Sequence, residues 1–280
     1  MELTARDHDI IRHVGSHRFL RSLHIIALAG GSQQQVLRRL QLLYHRGYLE
    51  RPPAQLDYYG RAGSRHIVYG LGDRGAILLR KEGLAMRGYW GSKNRAAGRM
   101  FLEHALLVSD VMTAIELACR KSGVRVIAEP AFDRKQPFRW SVTLSSQVRL
   151  GVVPDRVFGL GYQTEDGRAD RAYFFLEADR GTMPVMRANL SQTSFHRKLL
   201  AYQATWETGI HRTRFNFHRF RVLVVTTSPV RMQSIANTCK QLPRGRGLFL
   251  FATTAILKSP ADVMSAVWRT ANGESAGLMD

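Results

Sequence analysis

Apolar residues recur at helical spacing through the first 50 positions of the chain. The pattern predicts a helix over residues 5–15, a second over residues 20–29, and a third that starts after two consecutive glycines. Ser32 stands three residues before Gln35, which is the spacing of a capping box at the start of the third helix. The apolar face of this helix carries Val36, Leu37, Leu40, Leu43 and Tyr44.

A break at Gly47 separates the third helix from a region of alternating apolar and polar residues. Residues 48–51 and 65–71 alternate as two strands of a hairpin do. Three helices followed by a β-hairpin is the order of elements in a winged helix. We therefore predict an α+β winged helix-turn-helix domain over residues 1–90.

The rest of the chain alternates predicted helices with predicted strands, which indicates the α/β class. A long helix over residues 100–121 opens this part, and a second long helix covers residues 186–207. Apolar strands are predicted near residues 124–129, 148–153, 172–178, 221–227 and 247–254. We predict a linker over residues 91–99, an α/β domain over residues 100–270, and a flexible tail over residues 271–280.

Charge narrows the class of partner. The chain has 41 Lys and Arg against 22 Asp and Glu, a formal net charge of +19. Such an excess favours a polyanion, most simply nucleic acid, although an overcharged surface without a partner has the same composition. Two cysteines are too few for a disulfide framework, and no secretory signal or membrane span is recognisable. We expect a cytoplasmic protein without a membrane partner.

The polar face of the third helix is the first candidate site. Glutamine can read adenine and arginine can read guanine in the major groove, so this face predicts contact with double-stranded DNA. The candidate residues on and beside the helix are Ser32, Gln34, Gln35, Arg38, Arg39, Gln41 and His45. Those of the hairpin are Tyr59, Arg61, Arg65 and His66. A solvated helix face that contacts protein is the alternative. Because paired half-sites raise affinity, we expect a homodimer.

Carboxylates at the ends of two apolar strands form the second candidate site. Asp155 follows Pro154, whereas Glu177 and Asp179 lie two residues apart and share one face of an extended strand. Lys198 follows on the next predicted helix. Oxygen ligands of this kind bind Mg²⁺, and a lysine beside them could stabilise a phosphoryl group. We treat these four residues as a catalytic set and the three carboxylates as metal ligands, with arginine-paired structural carboxylates as the alternative.

A third segment, residues 211–221, interleaves four arginines with Phe215, Phe217 and Phe220. Arginines among aromatic rings can form a nucleic-acid contact. Phenylalanines that lead into a strand are also typical core residues, and this second interpretation is the one we favour.

The pair Pro154-Asp155 followed by Glu177-Ala-Asp179 resembles the motif of the restriction-endonuclease-like fold, Pro-Asp and then Glu-x-Lys. Asp179 stands where that motif has its lysine, and Lys198 is placed as a substitute from the following helix. The whole chain, including Lys198 and Tyr202, resembles the bacterial replication-relaxation family, which is associated with plasmids and other mobile elements. The resemblance implies a winged helix followed by an α/β restriction-endonuclease-like domain.

Three functions are compatible with this organisation. The first is sequence-directed binding of double-stranded DNA on a mobile element, with replication or relaxation proteins as further partners. The second is a Mg²⁺-dependent nuclease or nickase that the winged helix directs to DNA. The third is a transcriptional repressor whose second domain senses a ligand or dimerises. The displaced lysine favours binding over cleavage.

Overall fold

A computed structural model describes residues 2–56, 66–84, 90–128, 138–145, 148–164, 166–258, 263–265 and 267–279. The chain is of mixed α/β class, as predicted, and divides into two compact units, Met1–Thr113 and Ala114–Asp280. The division falls inside the long helix at Arg99–Ser122, and not in the predicted linker at residues 91–99. Within the part of the chain that is described, no helix combines the length and the apolar character that crossing a membrane requires.

The first unit combines helices with a small antiparallel sheet. Its elements are α1 (Ala5–His17), β1 (Phe19–Arg21), α2 (Ser22–Ala29), α3 (Gln33–His45), β2 (Leu49–Glu50), β3 (Val68–Leu71), α4 (Asp73–Lys81), α5 (Trp90–Arg95) and the first part of α6 (Arg99–Ser122). The strands lie in the order β1-β3-β2. The three predicted helices and the predicted hairpin strands are therefore present, with bounds that differ by a few residues.

Side chains at the start of α1 explain both its first turn and its position. Thr4 and Asp7 form a capping box, in which the Thr4 hydroxyl accepts from the Asp7 amide and the Asp7 carboxylate accepts from the Thr4 amide at 2.8 Å. Asp7 is fully buried, and Ile10, Ile11 and Val14 bury the face that follows. In α3 the buried residues are Val36, Leu40 and Leu43, as predicted, whereas Leu37 of the predicted apolar face is exposed and Tyr44 is half-buried.

Two local predictions in this unit differ from the structure. Ser32 occupies the position before α3, but its side chain makes no capping hydrogen bond. Residues 19–21 form strand β1 and not the start of a helix. The backbone at Arg18 has a φ of 71°, which stops α1, and buried Phe19 and Leu20 pair with β3.

The predicted linker is partly helical. Asn94 in α5 is fully buried, and its Nδ2 donates to the Leu71 carbonyl oxygen at 2.9 Å. The Gly91 amide donates to Asp73 Oδ1 at 3.0 Å. The polar composition of this segment suggested exposure, but two of its polar groups serve as hydrogen-bond partners of the preceding strand and helix.

The connection between α3 and α4 is a close backbone contact. The amides of Gly72 and Arg74 donate to the carbonyl oxygens of Tyr48 and Gly47 at 2.9 and 3.1 Å. A β-carbon at Gly72 would lie 2.4 Å from the Gly47 oxygen, which is closer than atoms can approach. Glycine is therefore required at position 72 for the start of α4 to bond to the backbone that leaves α3.

The second unit is built on a seven-stranded sheet in the order β12-β11-β10-β9-β8-β7-β4. Its strands are β4 (Arg125–Ala128), β7 (Arg156–Gln163), β8 (Ala169–Asp179), β9 (Arg221–Thr226), β10 (Phe249–Thr253), β11 (Trp268–Arg269) and β12 (Ser275–Ala276), and β5 (Trp140–Ser145) and β6 (Val148–Val152) form a separate hairpin. The central strands β8, β9 and β10 are parallel, and their other neighbours are antiparallel.

Helices α7 (Phe195–Glu207), α8 (Ile210–Thr213) and α9 (Pro229–Lys240) complete this unit. Helix α7 contacts the β5–β6 hairpin, and Trp140 Nε1 donates to Thr205 Oγ1 at 2.8 Å. The aromatic side chains of Trp140, Phe175 and Tyr202 meet in one core with those of residues 215, 217 and 220. The phenylalanines of residues 211–221 are at most 5% exposed, so the interpretation as core residues is confirmed.

The last residues differ from the predicted flexible tail. Strand β12 pairs with β11, and Ala276 and Leu278 are buried. The segment has only isolated apolar residues, so its sequence lacks the run that predicts a strand. Pairing with an existing sheet edge supplies the hydrogen bonds that such a short strand needs.

Candidate functional site

Antiparallel pairing of β7 with β8 brings Asp155 beside Glu177. Arg156 lies opposite Leu176, and the Asp155 amide donates to the Leu176 carbonyl oxygen at 3.1 Å. The Asp155 side chain also contacts β8, where its Oδ2 accepts from the Ala178 amide at 2.8 Å. The position after Pro154, at the start of β7, is what allows this carboxylate to reach the backbone of β8.

Glu177 is the centre of a buried cluster with two residues of α7. It is 2% exposed, it forms an ion pair with Lys198 Nζ, and its Oε1 accepts from Tyr202 Oη at 2.5 Å. Lys198 and Tyr202 are four residues apart, so they lie on one face of the helix. We call Asp155, Glu177, Lys198 and Tyr202 the Glu177 cluster.

Burial and neighbouring charges shift the pKa values within this cluster. Burial raises the pKa of Glu177 to about 7; Lys198 opposes the rise and Asp155 adds to it. Burial alone would lower the pKa of Lys198, but the carboxylates of Glu177 and Asp155 raise it overall. Burial and the adjacent Glu177 also hold the pKa of Tyr202 well above its ordinary value. The cluster therefore combines a firmly protonated lysine and tyrosine with a carboxyl group that titrates near neutrality.

Asp179 belongs to a different set of contacts. Its carboxylate accepts from Arg231 Nε at 2.7 Å, from Arg231 Nη2 at 3.0 Å and from Thr226 Oγ1 at 2.9 Å. Arg231 lies at the start of α9 and also donates to the Met183 carbonyl oxygen. Asp179 is thus one half of a bidentate buried ion pair, which ties the end of β8 to α9 and to the segment after β8.

These contacts decide whether the three carboxylates fit a magnesium ion. Mg²⁺ requires oxygen lone pairs that converge on one point with near-octahedral geometry. The oxygens of Glu177 accept from Lys198 and Tyr202, and those of Asp179 accept from Arg231 and Thr226. Among the described residues, no group of three or more His, Cys, Asp or Glu is arranged to hold a metal ion. The residues as they stand do not fit the ion.

The exposed face of α3 is the second candidate site. Ser32, Gln34, Gln35, Arg38, Gln41 and His45 are all exposed. The sequence from residue 22 to residue 49 contains no aspartate or glutamate, whereas it contains Arg38, Arg39 and Arg46. Helix α3 therefore presents hydrogen-bonding and cationic groups without any carboxylate of its own or of its flanking segments.

Arg39 has a different role from the one predicted. Its Nε donates to Asp7 Oδ1 at 2.7 Å, and its Nη2 pairs with Asp7 Oδ2. Burial raises the pKa of Asp7, but the hydrogen bonds from Arg39 and Thr4 outweigh that effect and lower it overall. Arg39 therefore holds α3 against α1. The sequence pattern could not show this contact because the partner is 32 residues away.

The predicted hairpin contacts can be placed only in part. Tyr59, Arg61 and Arg65 lie outside the described residues, and His66 is exposed.

Three arginines that the sequence did not single out border the α3 face. Arg6 Nη1 donates to Gln35 Oε1 at 3.3 Å, and exposed Arg46 follows the helix directly. Arg74 Nη1 donates to the Arg46 carbonyl oxygen at 3.1 Å, and its guanidinium lies 4.7 Å from the centre of the Tyr48 ring. We call the face of α3 together with Arg6, Arg46 and Arg74 the α3 surface. The positive net charge of the sequence was the only signal that pointed to further cationic residues beside α3.

The two sites define a basic α/β protein with a cationic helix surface in one unit and a buried carboxylate–lysine cluster in the other. Residues 11–219, more than half of the chain, match the family described as replication-relaxation. The chain belongs to the replication-relaxation family. The match includes α3 and every residue of the Glu177 cluster. A search of the curated proteins and a search of the solved structures each found no match.

Proposed function

We propose that the protein binds double-stranded DNA of a plasmid or other mobile element through the α3 surface, and acts there in replication, mobilisation or transcription control. The observation that carries the proposal is the exposed, carboxylate-free face of α3 with its flanking arginines. The family supplies the biological setting, because its description names replication and relaxation.

The arrangement of the first unit supports a winged-helix mode of binding. Helices α1, α2 and α3 precede the antiparallel strands β2 and β3, and the connection between these strands is where a wing would lie. An α-helix fits the major groove, and α3, at 13 residues, is about 20 Å long. In this mode Gln34, Arg38 and Gln41 face base edges, while Arg6, Arg46 and Arg74 contact phosphates.

The proposal is tested with the double substitution Gln34→Ala and Arg38→Ala. Each lost base contact costs about 1–3 kcal/mol, so affinity for a specific duplex from the DNA flanking the gene falls by at least about 10-fold. Fluorescence anisotropy on labelled duplex measures this change. Lys81→Ala, at an exposed position of α4, is the matched control and leaves affinity unchanged. Wild-type affinity in the double variant contradicts the proposal.

We also propose that the second unit follows the restriction-endonuclease-like plan but serves binding and assembly. Asp155, directly before β7, lies beside Glu177 on the adjacent strand β8, as that plan requires, and Lys198 reaches Glu177 from α7. The occupied oxygens favour this over the alternative of Mg²⁺-dependent cleavage. Nicking of plasmid DNA with Mg²⁺ or Mn²⁺ that disappears in Glu177→Ala would instead establish the nuclease.

Paired half-sites make a homodimer the expected assembly on DNA, and replication or relaxation proteins are the further partners that the family implies. Sedimentation equilibrium with and without the duplex measures the stoichiometry. A single protomer on a DNA site that lacks two-fold symmetry would overturn the dimer.

A further inference from the structure

A shallow depression in the second unit carries the strongest unassigned chemistry. It has a volume of about 510 Å³ and is lined by Trp206, Glu207, Gly209, His211, Arg212 and Arg244. Clefts that bind small ligands typically measure about 300–1,000 Å³, so the depression is large enough for a nucleotide. It involves neither the α3 surface nor the Glu177 cluster.

The turn after α7 builds this depression. Gly209 has a φ of 68°, a conformation that disfavours residues with a β-carbon, and its amide donates to the Trp206 carbonyl oxygen at 3.1 Å. The Arg212 amide donates to the Gly209 carbonyl oxygen at 2.9 Å. This tight reversal brings Arg212 back alongside the end of α7. His211 beneath it is 2% exposed, so it closes the floor.

A loop from later in the chain supplies the opposite wall. A β-carbon built on Gly245 would lie 3.6 Å from Cε3 of the Trp206 ring, so the backbone of this loop packs close to the indole. Arg244, the preceding residue, is exposed and lines the same depression. Two segments more than 30 residues apart therefore each contribute one arginine to the depression that Trp206 also lines.

The side chains around the depression are available to a ligand. Trp206 is 36% exposed, which is unusual for the largest apolar side chain at the end of a core helix. Across the described ranges, neither Arg212 nor Arg244 has a carboxylate within ion-pair distance, although Glu207 lines the same depression. Among the described residues, the Glu207 carboxylate accepts one hydrogen bond, from the side-chain amide of Gln203 at 3.0 Å.

We propose that this depression binds an unpaired nucleotide of single-stranded DNA, with the base stacked on Trp206 and the adjoining phosphates held by Arg212 and Arg244. An indole face stacks on any base, and arginine forks pair with phosphate oxygens, so the set matches a single strand in both charge and shape. Glu207 accepts hydrogen bonds from the exocyclic amine of a base. The basic segment at residues 211–221 thus contacts nucleic acid through Arg212, and its aromatic partner comes from α7 and not from its own phenylalanines.

The experiment titrates the full-length protein with a 15-nucleotide single strand and follows tryptophan fluorescence. Stacking on Trp206 quenches the signal with saturation. Trp206→Ala removes most of the quenching and weakens binding of the labelled strand by about 10-fold, since one stacked base contributes that much. Circular dichroism confirms that the variant is folded. Affinity within twofold of wild type in a folded Trp206→Ala variant overturns the proposal.

A charge-matched pair of variants isolates the arginines. Arg212→Gln with Arg244→Gln reduces the slope of log K against log salt by about 1.4, the value for two phosphate contacts on a single strand. Lys121→Gln with Lys258→Gln removes the same charge from exposed positions outside the depression and leaves the slope unchanged. An equal decrease of the slope in both double variants would show that only the net charge of the protein matters, and it would overturn the assignment of Arg212 and Arg244.

Two further measurements test whether the depression prefers a single strand over a free nucleotide, and whether the quenching depends on the α3 surface. A free deoxynucleoside monophosphate saturates the quenching only at concentrations at least 100-fold above those of the strand, and equal potency overturns the single-strand assignment. The Gln34→Ala, Arg38→Ala variant retains wild-type quenching by the strand, because the α3 surface is a separate proposal and its failure would leave this result unaffected.

Discussion

The Glu177 cluster and the α3 surface both consist of polar residues at predicted positions, yet their surroundings differ completely. In the cluster, buried carboxylate oxygens already accept hydrogen bonds from Lys198 and Tyr202. On α3, exposed amides and guanidinium groups face solvent. Residue type alone suggested a catalytic site at the carboxylates and a DNA contact on α3. The carboxylate of Glu177 is buried and already paired, whereas the polar side chains of α3 are exposed to solvent.

The largest effect is expected for Arg231→Met, because Asp179, although outside the Glu177 cluster, is likewise a buried and paired carboxylate, in contrast to the exposed groups of the α3 surface. The substitution leaves Asp179 as an unpaired buried charge, and breaking such a pair costs about 3–5 kcal/mol of the free energy of unfolding. Urea denaturation measures the loss. Met232→Leu, at the next position of α9, is the control and stays within about 1.5 kcal/mol of wild type. A stability loss below about 1 kcal/mol in Arg231→Met would show that the pair is not structural.

A pH-dependent effect follows from the raised pKa of Glu177. Its folded-state pKa of about 7 exceeds the ordinary value of 4.5, so the folded state keeps the proton to higher pH than the unfolded state. Stability therefore falls as pH rises from about 4.5 to about 7, by on the order of 3 kcal/mol in total. Urea titrations at pH 5 and pH 8 measure the difference. Glu177→Gln removes this part of the dependence, and an equal slope in both proteins would contradict it.

Two neighbouring arginines allow a buried, paired residue and an exposed residue to be compared on the same helix, α3. Arg39→Ala leaves buried Asp7 unpaired and lowers the free energy of unfolding by about 2–3 kcal/mol, while Arg38→Ala changes it by less than about 0.5 kcal/mol. Duplex affinity shows the reverse order once the folded fraction is matched. The pKa of Asp7 is lowered in the folded state. The stability that its pairing with Arg39 contributes is therefore lost as pH falls through that lowered pKa. Equal stability in the two variants would contradict the assignment.

The smallest effect concerns the border of the α3 surface. Arg46→Gln removes one proposed phosphate contact, so the slope of log K against log salt for duplex binding decreases by about 0.9. Affinity falls by a similar factor on specific and on random duplexes. Anisotropy titrations between 50 and 200 mM salt measure the slope, and an unchanged slope removes Arg46 from the surface.

Much of the first unit was predictable because its signals are local. The periodicity of Val36, Leu40 and Leu43 predicts the buried face of α3, although Leu37, assigned to the same face, is exposed. In the second unit, strand β8 was equally predictable from its apolar run. A helix or strand that buries one face has apolar residues at regular spacing within a short segment. That segment alone is therefore sufficient to predict the element and its buried face.

The partners of the predicted site residues were not predictable. Arg231 lies 52 residues after Asp179, and Arg39 lies 32 residues after Asp7. No periodic pattern links such pairs, since their proximity depends on how whole elements pack. The same reason explains strands β1 and β12, which form because a neighbouring strand offers hydrogen bonds and not because their own residues require extension.

The backbone contact at Gly72 has a consequence for redesign. The backbone that leaves α3, at Gly47 and Tyr48, is hydrogen-bonded to the start of α4, and this contact involves none of the side chains at positions 34, 38 and 41. Those positions can be randomised together in a library without moving the helix that carries them. Under the proposed mode of DNA binding, the unit is therefore a suitable scaffold for selecting altered target sequences, provided that residue 72 is left untouched.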